Sequence, residues 1–156
     1  NLILRDFDRQ PFSRNMVLDY RQAEKRAREA LDEYSIKTSG KSGIKTPVKL
    51  MSGGNQQKVI LSREISGEAG LIVASQPTRG LDIGATRFVH ETLLRQRDAG
   101  RCVLLISADL DEILGVSDRV AVMYEGRIIG ILNREEADVH KIGLLMGGIA
   151  KEAANE

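Results

Sequence analysis

Apolar positions change their period several times along the chain. Residues 1–16 carry no clear period and include Pro11, which predicts a loop or short turn. Over residues 17–34, Ala23, Ala27, Ala30, Leu31 and Tyr34 recur at three- and four-residue steps with Arg, Lys and Glu between them. That is the pattern of an amphipathic helix. Residues 35–49 are small, polar and basic and predict a loop. A second helix is predicted over NQQKVILSREIS, where Val59, Ile60 and Ile65 are the apolar positions. Ser52, Gly53 and Gly54 stand at its entry and would leave backbone N–H groups exposed.

The second half alternates. Residues 71–74 and 102–106 are short apolar runs of the kind found in buried parallel strands. Between them, residues 84–99 place Phe88, Thr92, Leu93 and Gln96 at helical spacing and run into Gly100, a C-terminal cap. Residues 109–114 predict a short helix. Residues 120–124 and 127–132 flank Glu125-Gly126, a two-residue hairpin turn. The segment 135–156 reads as helix that then frays. The order α, α, β, α, β, α, β, β, α predicts an α/β core preceded by a helical segment.

Composition narrows the function classes. With 42% hydrophobic and 29% charged residues in 156, the chain reads as a folded domain with a core of its own. Lys and Arg number 23 against 22 Asp and Glu, for a net charge of +1, and aromatics are 4% with no Trp. Neither a basic field nor a stacking platform for nucleic acid is present, so no nucleic-acid partner is expected. The single cysteine, Cys102, excludes an internal disulfide and a cysteine-based zinc site. No apolar run approaches the roughly 20 residues needed to span a bilayer.

Two stretches offer phosphate chemistry. Ser39-Gly40-Lys41-Ser42 looks like the end of a P-loop, but Ser35 stands where that pattern needs its first glycine, and no strand precedes it. It is read as a basic loop. Met51-Ser52-Gly53-Gly54-Asn55-Gln56-Gln57-Lys58 is stronger: a hydroxyl, bare N–H groups and the positive end of a helix dipole suit a terminal phosphate. Taken alone, Ser-Gly-Gly is better explained as a helix cap on a tight loop.

The longer run resembles the signature motif of ABC ATPases, in the Asn-Gln-Gln variant of bacterial carbohydrate-type importers. Other segments follow in family order: Gln76-Pro77-Thr78-Arg79-Gly80-Leu81-Asp82 at the Walker B and D-loop position, then Ser117–Met123 and Glu125–Ile128 after the switch position. The resemblance extends over residues 1–146. It implies an α/β fold, specifically a partial ABC-ATPase domain with a P-loop NTPase-like core lacking Walker A and an N-terminal helical subdomain segment. Residues 1–50 would be that segment, 51–134 the signature helix and ATPase core, and 135–156 a helical tail. The chain would then begin partway through a domain.

Within that resemblance, three positions depart from the pattern. Ser75 and Gln76 replace the Asp-Glu pair that serves magnesium and the attacking water, and Ala108 replaces the switch histidine. A serine carries no charge for the metal, and a carboxamide cannot act as a base. Neither His90 nor His140 falls where it could substitute. The resemblance therefore implies the degenerate second half of a tandem importer ATPase. Ser52, Gly53 and Gly54 would reach the γ-phosphate of ATP held by the other half, Asn55 and Gln56 would support the loop, and Asp82 would lie at the dimer interface. ATP and magnesium belong to the full-length protein, an ATP hydrolase coupled to transport; this chain alone is expected to bind neither and to be inactive.

Implied partners are the other ATPase half in a head-to-tail dimer, transmembrane permease subunits and, indirectly, a substrate-binding receptor. The implied place is the cytoplasmic face of the bacterial cell membrane, held peripherally. Phe7, Phe12 and Tyr20 are candidate permease anchors, or else ordinary packing residues. The subgroup resemblance favours nucleosides over sugars such as ribose or galactose. Two rival readings are a structural or regulatory dimerisation module without nucleotide contact, and a soluble non-transport ABC ATPase. A core of this kind without its Walker A strand is expected to expose sheet edge or apolar surface.

Overall fold

The computed structural model describes residues 1–38, 40–65, 67 and 69–149. These divide into two compact groupings, Asn1–Ile72 with Pro77–Val103, and Val73–Gln76 with the residues from Leu104 onward. No described helix is long and apolar enough to cross a membrane.

The first grouping opens with a small hairpin rather than a structureless turn. Strands β1 (Ser13–Arg14) and β2 (Val17–Leu18) pair antiparallel, and Asn15 and Met16 form the turn at φ 51° and 64°. This delays the first helix, which was expected from residue 17. Val17 and Leu18 are extended against β1, and Asp19 caps the helix by accepting from the Arg21 and Gln22 N–H groups. Helix α1 is Tyr20–Glu33. The expected loop that follows holds two short 3-10 turns, Gly40–Lys45 and Val48–Leu50.

Helices α2 (Gly53–Ile65) and α3 (Ile83–Asp98) pack on each other. Tyr34, Ile36 and Val59 form one core cluster here, with Leu31, Met51 and Phe88 against it. The rings of Tyr34 and Phe88 meet edge to face, 6.3 Å between centroids. Burial, reinforced by the Glu33 carboxylate, raises the Tyr34 phenol above its ordinary 10.0, so the ring packs as a neutral group. Helix α3 ends at the expected glycine: Gly100, at φ 84°, donates to the Arg97 carbonyl, and Arg101 to that of Gln96.

Strands β3 (Leu71–Ser75) and β4 (Cys102–Ile106) form a two-stranded sheet. Its flanking bonds, Cys102 N–H to Gly70 and Gln76 N–H to Ile106, ascend together along both strands, as in a parallel pair. The expectation that both runs are buried is corrected here. Only Ala74 is buried, while Leu71, Val73, Leu104 and Ile106 are 55%, 58%, 51% and 47% exposed. Runs this apolar need cover on both faces, and the described residues cover these alternate positions poorly. The expected apolar sheet surface is present.

In the second grouping, α4 (Leu110–Val116) is capped by Asp109, which accepts from the Asp111 and Glu112 N–H groups. Strands β5 (Arg119–Tyr124) and β6 (Arg127–Asn133) pair antiparallel around Glu125 and Gly126, both left-handed at φ 46° and 76°. That is the turn whose twist suits a hairpin. Helix α5 (Val139–Met146) lays Ile142 and Leu145 on Val120, Val122 and Leu132. A Cβ at Gly130 would stand 2.9 Å from Leu145 Cδ1, so a larger residue there would displace the end of that side chain. Of the helical tail expected over 135–156, the described residues form α5 and a preceding 3-10 turn, Arg134–Glu136; residues 150–156 lie outside the described residues.

Candidate functional site

The start of α2 is built from a hydroxyl, two glycines and two amides. Ser52 precedes the helix and accepts from the Asn55 N–H at 3.4 Å, the bond expected of a serine cap. Its carbonyl takes the first helical bond, from Gln56 N–H at 2.9 Å. Asn55 Nδ2 donates to Ser52 Oγ at 2.9 Å, and Asn55 Oδ1 accepts from the Lys37 N–H at 2.8 Å. Gln56 Nε2 donates to the Met51 carbonyl at 2.9 Å. Both amides are thus hydrogen-bonded within this turn, and Ser52 Oγ accepts the Asn55 N–H as a helix cap does.

The two glycines differ. A Cβ on Gly53 would meet nothing within 4 Å, so no neighbour in this chain demands a glycine there. A Cβ on Gly54 would lie 2.9 Å from Ala85 Cβ and 3.8 Å from Asp82 Oδ2. Gly54 is the contact that lets α2 approach the start of α3. Ser52 and Gly53 are exposed, whereas Gly54 is half-buried. The first N–H groups of α2 have no acceptor within the helix.

Asp82 is exposed and caps α3, accepting from Ala85 N–H at 2.8 Å. Fold geometry thus brings Asp82 beside Gly54 across 27 intervening residues of other structure. Two residues to which the sequence assigned no role complete the arrangement. Lys58 donates to the Ser35 carbonyl at 3.0 Å and sits 4.5 Å above the Phe88 ring. Lys37 contributes only its backbone N–H, which no side-chain pattern could have flagged.

Ser75, Gln76 and Ala108 are all exposed. Gln76 follows β3 in the left-handed region, at φ 49°, and its N–H reaches the Ile106 carbonyl at 2.8 Å. Ala108 follows Ser107, whose Oγ accepts from Asp109 N–H at 3.0 Å. Ser75 and Gln76 bring no carboxylate, the protein group through which magnesium is usually held. His90 lies within α3 and His140 in α5. The Ser39-Gly40-Lys41-Ser42 stretch begins at Ser39, outside the described residues; Gly40–Lys45 forms a 3-10 turn, and the element before it is α1. Phe7 and Tyr20 are 54% and 73% exposed, and Phe12 is half-buried.

No protein-family model matches the chain. It is 44% identical over 156 residues to the guanosine import ATP-binding protein NupO of Bacillus subtilis, covering all of this chain and 30% of that protein. It is 46% identical over 122 residues to the ribose import ATP-binding protein RbsA of Clostridium perfringens, covering 75% and 24%. In fold it superposes on the ATP-binding cassette MJ0796, solved as a dimer bound to ADP and Pi, with a TM-score of 0.62 at 21% identity over 79% of this chain and 52% of that one. The chain thus spans under a third of these curated relatives and about half of a cassette. It belongs to the ABC-ATPase family, as a partial α/β cassette related to the ATP-binding proteins of sugar and nucleoside import.

Proposed function

We propose that this chain is part of the ATP-binding subunit of an ABC importer for simple sugars or nucleosides, and that it supplies the signature motif in trans. The carrying observation is the start of α2, where an exposed, capped Ser52 and an unobstructed Gly53 face outward. A terminal phosphate fits there: the Ser52 hydroxyl donates, the first N–H groups and the helix dipole favour an anion, and no Cβ bars its approach. ATP, held by the partner half, supplies the phosphoanhydride whose cleavage drives transport. Asp82 would meet the partner half beside the same turn.

The relatives named for guanosine and ribose import support a nucleoside or sugar cargo, with nucleosides favoured. Permease subunits would be the membrane partners, a receptor would act indirectly, and the chain would sit peripherally at the cytoplasmic face. Ser75, Gln76 and Ala108 give this half no base, no metal carboxylate and no switch imidazole. Its own contribution is therefore to position the γ-phosphate of a site whose remaining parts lie elsewhere, and the chain alone should hydrolyse ATP no faster than buffer does.

The test is Ser52→Arg in the full-length protein assembled with its permease. The expected result is loss of ATP turnover by about a hundredfold or more, the scale of removing a phosphate or oxyanion donor. Wild-type turnover in that variant would overturn the proposal and leave a dimerisation module without nucleotide contact as the better description.

A further inference from the structure

We propose that Asn55 is a positioning residue that fixes the polarity of the Ser52 hydroxyl, making it a donor only. This rests on the reading of Ser52 as a phosphate contact. A backbone N–H can only donate, so the Asn55 atom 2.8 Å from Lys37 N must be the carboxamide oxygen. That fixes which way the amide faces, and its nitrogen is left 2.9 Å from Ser52 Oγ. A carboxamide nitrogen can only donate as well. Ser52 Oγ therefore accepts from Asn55 Nδ2 and, more weakly, from the Asn55 N–H at 3.4 Å.

A serine oxygen has two lone pairs and one proton. With both lone pairs engaged by one residue, the proton is what Ser52 can still offer, and Ser52 is exposed. The hydroxyl then selects ligands that present acceptors without protons, such as the oxygens of a fully ionised terminal phosphate. Lys58, one turn further along α2, holds the Ser35 carbonyl at 3.0 Å and so steadies the segment that carries the Lys37 N–H. The polarity of Ser52 is thus set by a backbone group 15 residues away in sequence.

The experiment is a double-mutant cycle on ATP turnover in the full-length protein assembled with its permease: wild type, Ser52→Ala, Asn55→Ala and the double variant. Expected are a loss of about a hundredfold for Ser52→Ala and of roughly three- to tenfold for Asn55→Ala. The double variant should be no slower than Ser52→Ala alone, because Asn55 acts through the hydroxyl. A double variant slower by the full Asn55→Ala factor would overturn the positioning role while leaving Ser52 as the phosphate contact. Unchanged turnover in Ser52→Ala would overturn the signature reading itself, and this inference with it. If Asn55→Ala fails to fold, Asn55→Leu retains bulk and helix propensity without either polar atom, and the same comparison applies.

Discussion

The first turn of α2 and the loop after β3 are both exposed, both polar and both at positions where an ABC cassette is expected to do chemistry, yet they are furnished differently. At α2 the side chains of Ser52, Asn55 and Gln56 are joined to one another or to backbone by bonds of 2.8 to 3.4 Å. After β3, the side chains of Ser75 and Gln76 make no hydrogen bond among the described residues, and the backbone turns through an unfavourable φ of 49° at Gln76. One region has its polar side chains tied by hydrogen bonds; the other offers neutral groups that make none among the described residues. Pre-organised donors are worth more to a developing or resident charge than free ones, because no reorganisation is needed on binding. This contrast supports the proposal that this half serves its partner's nucleotide.

That contrast can be broken in four places. Gly54→Val should be the most costly, since a Cβ 2.9 Å from Ala85 Cβ must push α2 off α3. A loss of about 1–3 kcal/mol in denaturant unfolding is expected, and an unchanged midpoint would show that the two helices are not in fixed contact. Asp82→Ala should follow, at about 1 kcal/mol, through loss of the α3 cap; an unaltered melting curve would confine Asp82 to an interface role. On the other side of the comparison, Gln76→Gly should stabilise by about 0.5 kcal/mol. The relief of a left-handed residue, about 1–2 kcal/mol, exceeds the added freedom of glycine, about 0.5–1 kcal/mol. Destabilisation would mean that the glutamine side chain is anchored after all. Ala108→His should change stability by less than about 0.5 kcal/mol, as expected of an exposed position; a larger loss in melting experiments would reveal hidden packing.

Much of the fold was legible because its signals are local. Glu125-Gly126 announced a hairpin, Gly100 the end of α3, and Ala23, Ala27, Ala30 and Leu31 the face of α1. The start of α1 was misplaced because Val17 suits a helix face and a strand equally well; Leu18 pairing with Ser13 decided the matter through a contact the periodicity does not encode. Burial of β3 and β4 was misjudged for a related reason. Leu71, Val73, Leu104 and Ile106 specify a covered strand, but covering depends on residues outside the strand, and those described here leave these side chains half in solvent. In the site, the Ser-Gly-Gly-Asn-Gln order could be read directly. The separate duties of Gly53 and Gly54 could not, since they follow from the approach of Ala85, and neither could the lock on Asn55, since its partner is a main-chain N–H.

The β5–β6 hairpin has a kinetic consequence. Its strands are separated by two residues already suited to their turn, and the helix that packs on them begins six residues after β6 ends. The apolar cluster from Val120 to Leu145 can therefore close with little loop entropy, hairpins forming within about 1–10 μs, whereas β3 must find β4 across the whole of α3. Amides of Val120 and Leu132 should gain protection from hydrogen exchange before those of Ala74 and Leu104 during refolding; the reverse order would show that the parallel pair nucleates the chain.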